Sequence, residues 1–75
     1  MRDSGVSRYA VVIEKGPTSY GASVPDLPGC IAVGVTAEEV RQLIREAIVG
    51  HVETLQATGQ VVPEPTTTIG YIDVR

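Results

Sequence analysis

The side chains that could carry out catalysis are few and widely spaced along the chain. His51 is the only histidine and Cys30 the only cysteine, so His51 is the sole candidate base for a nucleophilic Cys30. A zinc site would need further His or Cys ligands. His51 falls about 20° from Val40 on a helical projection, inside an apolar stripe. Free Cys is among the most frequently buried residue types. We therefore interpret both residues as packing residues.

Three carboxylates, Glu14, Asp26 and Asp73, are the only candidates for a metal-dependent site on sheet edges. Two-metal hydrolysis needs several carboxylates within a few ångströms of one another. Glu14 and Asp73 would be neighbours only if the first and last strands pair, and the spacing of the three matches no hydrolase motif. We interpret them as solvated strand ends and predict no enzyme activity, metal or cofactor. A metal-dependent nuclease is the remote alternative.

The elements that position these residues begin with a predicted antiparallel hairpin sheet. Residues 8–15 alternate as a strand, the turn Gly16–Ser19 follows, and a second strand returns from Tyr20. The stretch Pro25–Gly29 contains two prolines and a glycine, so it predicts a rigid loop with Leu27 turned inward. Residues 30–35 predict a third strand, with Ile31, Val33 and Val35 on one side.

A long helix is the clearest predicted element. Thr36 and Glu39 fit a capping box, in which the threonine hydroxyl accepts from the Glu39 N–H and the glutamate reaches back to Thr36. Apolar residues then recur at helical spacing, which predicts a helix over 37–58 that Gly59 ends. Residues 68–74 predict a last strand. The predicted fold is α+β, with the order β-β-β-α-β and the helix packed on one face, in a single domain over 8–75 after a flexible segment, 1–7.

Composition and charge exclude several classes of function. The 75 residues are 43% hydrophobic and 20% charged, with a net charge of −3, so direct DNA binding is not expected. No apolar run approaches the roughly 20 residues that span a bilayer. A lone cysteine fits a reducing compartment, and the N-terminus has no hydrophobic signal. We expect a cytoplasmic protein with no membrane partner.

The predicted strands carry apolar residues on both faces, whereas one helix covers only one face. We therefore expect apolar surface to remain open on the monomer and to form an interface. A chain this small gains little from its own core, which also favours self-association as a homodimer or tetramer. The residues predicted at that interface are Tyr9, Val11, Ile13, Ile69 and Tyr71.

Specific runs of residues resemble the HicB antitoxin family. The most specific is Val24-Pro25-Asp26-Leu27-Pro28-Gly29-Cys30, because two prolines at fixed spacing are not a generic turn. The run Tyr9 to Lys15, the run Gly34 to Glu39, Arg45 to Ile48 with His51, and Pro63-Glu64-Pro65 are similar as well. The resemblance covers roughly residues 8–66, and it marks Pro25, Asp26, Leu27, Pro28, Gly29 and Cys30 as family-motif or partner-binding candidates.

The resemblance implies a partial ribonuclease H-like fold without nuclease activity. It also implies an antitoxin role in a type II toxin–antitoxin system, in which the domain binds and occludes a small RNA-cleaving toxin of the HicA type. Many family members carry a further C-terminal DNA-binding domain, whereas this sequence ends after the last predicted strand. The alternative is therefore an orphan oligomeric domain that keeps the fold but has no toxin partner.

Overall fold

A small sheet and one long helix form the fold of this chain. The computed structural model describes residues 8–75, and the predicted flexible segment, 1–7, lies outside the described residues. The elements are β1 (Val12–Lys15), β2 (Tyr20–Ser23), β3 (Ile31–Gly34) and α1 (Ala37–Ala57). The predicted α+β class, the three-stranded hairpin sheet and the long helix are confirmed.

The sheet is antiparallel with the strand order β1-β2-β3, so β1 and β3 are its two edges. The register places Ile13 opposite Ala22 and Ala22 opposite Ala32, which puts these three side chains on one face. That face packs against α1, since Ala22 is buried and the other two lie against the same core. We call the opposite side the outer sheet face.

Local signals at both ends of α1 act largely as predicted. The Thr36 hydroxyl accepts from the Glu39 N–H at 3.0 Å, whereas the Glu39 carboxylate accepts from the Val35 N–H, at 2.6 Å, and not from that of Thr36. At the other end, Gly59 has a φ of 75°, and the N–H of Gln60 donates to the Leu55 carbonyl at 2.8 Å. This is the pattern of a Schellman cap, so Gly59 ends the helix as the sequence indicates.

The core lies between the helix-facing side of the sheet and the first half of α1. Its buried members are Ala22, Val24, Leu27, Cys30, Val40 and Ile44. The approach of α1 to β3 is close, because a Cβ added to Gly34 would lie 2.9 Å from the Val40 backbone nitrogen. Small residues on this face of β3 therefore let the helix pack directly against the sheet.

The predicted last strand over 68–74 is wrong for this structure, and the fold has the order β-β-β-α. Residues 60–75 form no strand. Ile69 is 55% exposed and Tyr71 93% exposed, and Ile72 and Val74 are exposed as well. β-branched residues favour a strand only where a sheet edge pairs with them, and neither edge does so here. We call residues 68–75 the terminal segment.

Candidate functional site

The loop Val24–Cys30, which contains the family motif, is fixed by its own backbone. The Leu27 N–H donates to the Val24 carbonyl and the Cys30 N–H to the Leu27 carbonyl, both at 3.0 Å. The Val24 N–H closes the loop on the Cys30 carbonyl at 3.2 Å. These two consecutive turns push Leu27 inward, where it is fully buried. Pro25 and Pro28 remain exposed, and Gly29 makes the last turn with a φ of 85°.

Asp26 attaches the chain that follows the helix to this loop. Its Oδ2 accepts from the backbone N–H groups of Thr66 and Thr67, at 3.0 and 2.9 Å. Its Oδ1 accepts from the hydroxyls of the same two threonines, at 3.2 and 2.8 Å. The Thr67 N–H contributes most to lowering the pKa of Asp26 below its ordinary value, followed by the Thr67 hydroxyl. The motif aspartate therefore acts as an anchor for residues 66–67.

Tyr9 makes a second attachment to the returning chain. Its hydroxyl donates to the Pro63 carbonyl at 2.6 Å. Burial raises the pKa of the Tyr9 phenol, and the negative charges of Glu64 and Asp26 raise it further. The phenol therefore keeps the proton that it donates. The bonds of Tyr9 and Asp26 thus hold residues 63–67 against the sheet side of the chain. The terminal segment begins directly after them, and its large side chains are exposed.

The outer sheet face is an open apolar surface. Ile31 is 67% exposed, Val33 66% and Val35 72%, and Val12 lies on the same face across β2. Between these residues, β2 presents only Gly21 and Ser23, so a shallow depression of about 200 Å³ runs over the sheet. A contiguous set of exposed apolar residues that surrounds a depression is typical of a protein-interaction surface.

β3 reverses the usual distribution of large and small residues. Its helix-facing side carries Ala32 and Gly34, whereas Ile31 and Val33 face outward. The alternation of side chains along a strand predicts that Ile31, Val33 and Val35 share one side of β3. It does not predict whether that side faces the core or the solvent. The short link from Gly34 to Ala37 is the signal that identifies the inner side, since a helix that starts so close needs small residues beneath it.

A second apolar surface lies along the edge of the sheet. Between β1 and α1 runs a groove of about 590 Å³. The apolar residues that line it are Tyr9, Val11, Ile13, Ile44, Ile48 and Val49. We call it the lateral groove. Its remaining lining is mostly basic, because Arg8, Arg41 and Arg45 outnumber the one acid, Glu38. The structure thus places Tyr9, Val11 and Ile13 on the helix side of the sheet, where they also pack against the core.

The residues with catalytic side chains do not form a catalytic arrangement. Cys30 and His51 do line the same shallow pocket, but Cys30 is buried and its burial raises the pKa of the thiol, which disfavours the nucleophilic thiolate. Glu14, Asp26 and Asp73 lie on three separate parts of the chain. Among residues 8–75, no group of three or more His, Cys, Asp or Glu side chains is placed to hold a metal ion.

Over the same described range, no helix has the length and apolarity that crossing a membrane requires. This applies to α1, whose polar residues are interspersed along its length.

Comparison with known proteins gives a family and two relatives. Residues 9–73 match the family described as HicB-like antitoxin of bacterial toxin-antitoxin system. The chain is 35% identical over 65 residues to an uncharacterized 14.9 kDa protein in the rep-hol intergenic region of Haemophilus phage HP1, an alignment that covers 87% of this chain. It is 37% identical over 57 residues to UPF0150 protein Ta0767 of Thermoplasma acidophilum, which covers 75% of this chain and 83% of that protein. The chain spans 49% of the length of the phage protein.

Proposed function

Because this chain belongs to the HicB-like antitoxin family of bacterial toxin–antitoxin systems, we propose that it is a protein-binding module that occludes a small, basic, RNA-cleaving toxin of the HicA type. The open outer sheet face is the observation that carries the proposal. A binding role needs an exposed surface and no reactive groups, and this surface consists of aliphatic side chains. We accordingly propose a non-enzymatic role.

The outer sheet face suits a basic partner better than the lateral groove does. The chain carries a net charge of −3, and exposed Glu14 lies on the outer face beside the aliphatic residues. Glu39 lies at the start of α1, four residues after Val35, and its carboxylate accepts from the Val35 N–H. The groove instead presents three arginines. Electrostatic complementarity steers partners and rejects like charge, so a basic toxin is directed to the outer face.

The motif loop contributes to this surface mainly by supporting it. Cys30 precedes Ile31 directly, so the buried Leu27 and Cys30 fix where β3 begins. The exposed Pro25 and Pro28 are proposed as contacts at the margin of the surface, since rigid prolines lose little entropy on binding.

The test measures toxin binding on variants of the outer face. Val33→Asp is expected to weaken binding to a co-expressed HicA-type toxin by at least about tenfold, because it places a buried charge at the centre of the contact. Val61→Asp is the matched control, since Val61 is 87% exposed and does not line the depression on this face. Equal binding by both variants would contradict the proposed surface, and no binding by the unmodified chain would favour the orphan-domain alternative.

We also propose that the chain self-associates. In a chain of 75 residues, the two apolar surfaces described above are large relative to a core of six buried residues. A homodimer, or a tetramer built from dimers, would cover one surface and leave the other for the toxin. We also propose the partial ribonuclease H-like fold that the resemblance implies, since the three antiparallel strands and the helix that follows them are the first four of its five elements.

A further inference from the structure

We propose that the outer sheet face receives one long basic side chain of the bound toxin, an arginine or a lysine, in a socket formed by Glu14, Gly21 and Val33. The proposal rests on the toxin binding proposed above, and it identifies the part of the toxin that is recognised. Gly21 gives the socket its depth, and Glu14 gives it a preference for positive charge.

Gly21 lies in the central strand of the sheet, where a glycine does not help the strand to form. A glycine inside a strand loses more conformational freedom on folding than other residues, and it adds no side chain to the packing. Gly34 is a contrasting case, because a Cβ there would lie 2.9 Å from the Val40 backbone nitrogen. A Cβ added to Gly21 would meet no atom within 4 Å, and the φ of Gly21 is not left-handed. The fold of this chain therefore does not require a glycine at position 21.

The register of the sheet places a charged side chain on one side of Gly21 and an aliphatic one on the other. Glu14 lies opposite Gly21 on β1, and Val33 lies opposite it on β3. Neighbouring strands are about 4.8 Å apart, so a side chain inserted over Gly21 contacts both neighbours. Glu14 is exposed and Val33 is 66% exposed, which leaves the socket open to solvent. All three residues line the depression of about 200 Å³ on this face.

The lining of the socket fits a side chain with an aliphatic stem and a positively charged end. The stem of an arginine or lysine packs against Val33, while its charged group pairs with the Glu14 carboxylate. An apolar side chain would remove water from that carboxylate without replacing its hydrogen bonds, and an acidic one would be repelled. Lys15 lies on the opposite face of β1, across from Tyr20, so it does not occupy the socket. The partner is therefore expected to supply the cation.

The experiment measures the dissociation constant of the complex between the full chain and a co-expressed HicA-type toxin by isothermal titration calorimetry. Gly21→Val is expected to raise this constant by at least about tenfold, because the valine fills the socket. Gly70→Val is the matched control, since Gly70 has equal free space and does not line the depression. Circular dichroism should show that Gly21→Val keeps the fold, because β-branched residues favour strands and the added Cβ has room.

Glu14→Gln tests the charge of the socket. It is expected to raise the dissociation constant by at least about fivefold at low salt, and by less at high salt, because salt screens an ion pair near the surface. Glu53→Gln is the matched control, since Glu53 is exposed on α1 and does not line the depression. In the Gly21→Val background, Glu14→Gln should change the constant by less than about twofold, because the valine already excludes the basic side chain.

The outcomes distinguish failure of the socket from failure of the proposed function. If Val33→Asp weakens binding but Gly21→Val does not, the toxin binds the outer sheet face without using the socket, and only the socket is overturned. If Glu14→Gln leaves binding unchanged, or if its effect persists in full in the Gly21→Val background, the occupant is not a basic side chain paired with Glu14, which also overturns the proposal. If the unmodified chain does not bind the toxin, the proposed function and the socket both fail.

Discussion

The loop Val24–Cys30 and the terminal segment are both irregular, but only the loop packs into the core. The loop closes three backbone hydrogen bonds on itself and buries Leu27 completely. The terminal segment is richer in β-branched and aromatic residues, yet Tyr71 is 93% exposed. A segment is therefore ordered by the contacts that it completes within the chain, and strand propensity without a pairing edge does not supply them.

Replacing the central side chain of the loop should give the largest difference between the two regions. Leu27→Ala is expected to lower the free energy of unfolding by about 2–5 kcal/mol, because it leaves a cavity at a fully buried position. Ile72→Ala in the terminal segment should change it by no more than about 0.5 kcal/mol, since Ile72 is 88% exposed. Urea denaturation followed by circular dichroism measures both.

Leu27→Met separates loss of volume from loss of the leucine shape. A volume-conserving replacement typically costs less than about 1.5 kcal/mol, so this variant should remain folded even if Leu27→Ala does not. If Leu27→Ala and Ile72→Ala had the same free energy of unfolding, Leu27 would contribute no more to stability than an exposed residue of the terminal segment. That result would contradict the difference proposed between the two regions.

The two glycines of these regions allow a comparison of backbone conformation. Gly29 has a φ of 85° with no atom near its added Cβ, so Gly29→Ala tests conformation without a clash. We expect a loss of about 1–2 kcal/mol in the free energy of unfolding, the cost of a left-handed conformation for an L-residue. Gly70→Ala has equal space and no left-handed φ, so it should be close to neutral. A neutral Gly29→Ala would mean that the loop adopts another turn in solution.

Local signals allowed much of the fold to be predicted from sequence. Thr36 and Glu39 predict where α1 begins, and Gly59 where it ends, because caps depend on a few adjacent residues. The two prolines around Leu27 likewise predict a rigid loop with that side chain inside. These features need no information from distant parts of the chain, and the structure confirms them.

Long-range features could not be predicted in the same way. The assignment of Tyr9, Val11 and Ile13 to the helix side depends on how close α1 lies to β3, and both rows of β1 are apolar enough for either face. The predicted terminal strand does not form although the edge of β1 is open, because no local pattern shows whether a distant edge pairs with a segment. The four hydrogen bonds of Asp26 join residues 40 and 41 positions apart, and no local pattern indicates them.

The hydrogen bonds of Asp26 join the loop to the residues that precede the terminal segment. Removing them should change the free energy of unfolding less than the substitutions of Leu27 and Gly29 above. Asp26→Asn removes the negative charge and one acceptor oxygen, so the four charge-assisted hydrogen bonds from Thr66 and Thr67 are replaced by fewer and weaker neutral ones. We expect faster hydrogen exchange at these two amides and little change in global unfolding. Asp73→Asn is the matched control in the terminal segment and should leave both amides unaffected.

The same attachment should depend on pH with a defined sign. The threonine hydrogen bonds lower the pKa of Asp26 in the folded protein below the ordinary value of 3.8. The unfolded chain therefore binds the proton more readily, so the stabilisation is complete above pH 3.8 and is lost as the pH falls through the lower folded pKa. The Thr67 amide proton shift, followed by NMR, should show a titration step below pH 3.8 that Asp26→Asn removes. A step at or above that value, or one that persists in the variant, would show that the carboxylate does not hold the terminal segment at its base.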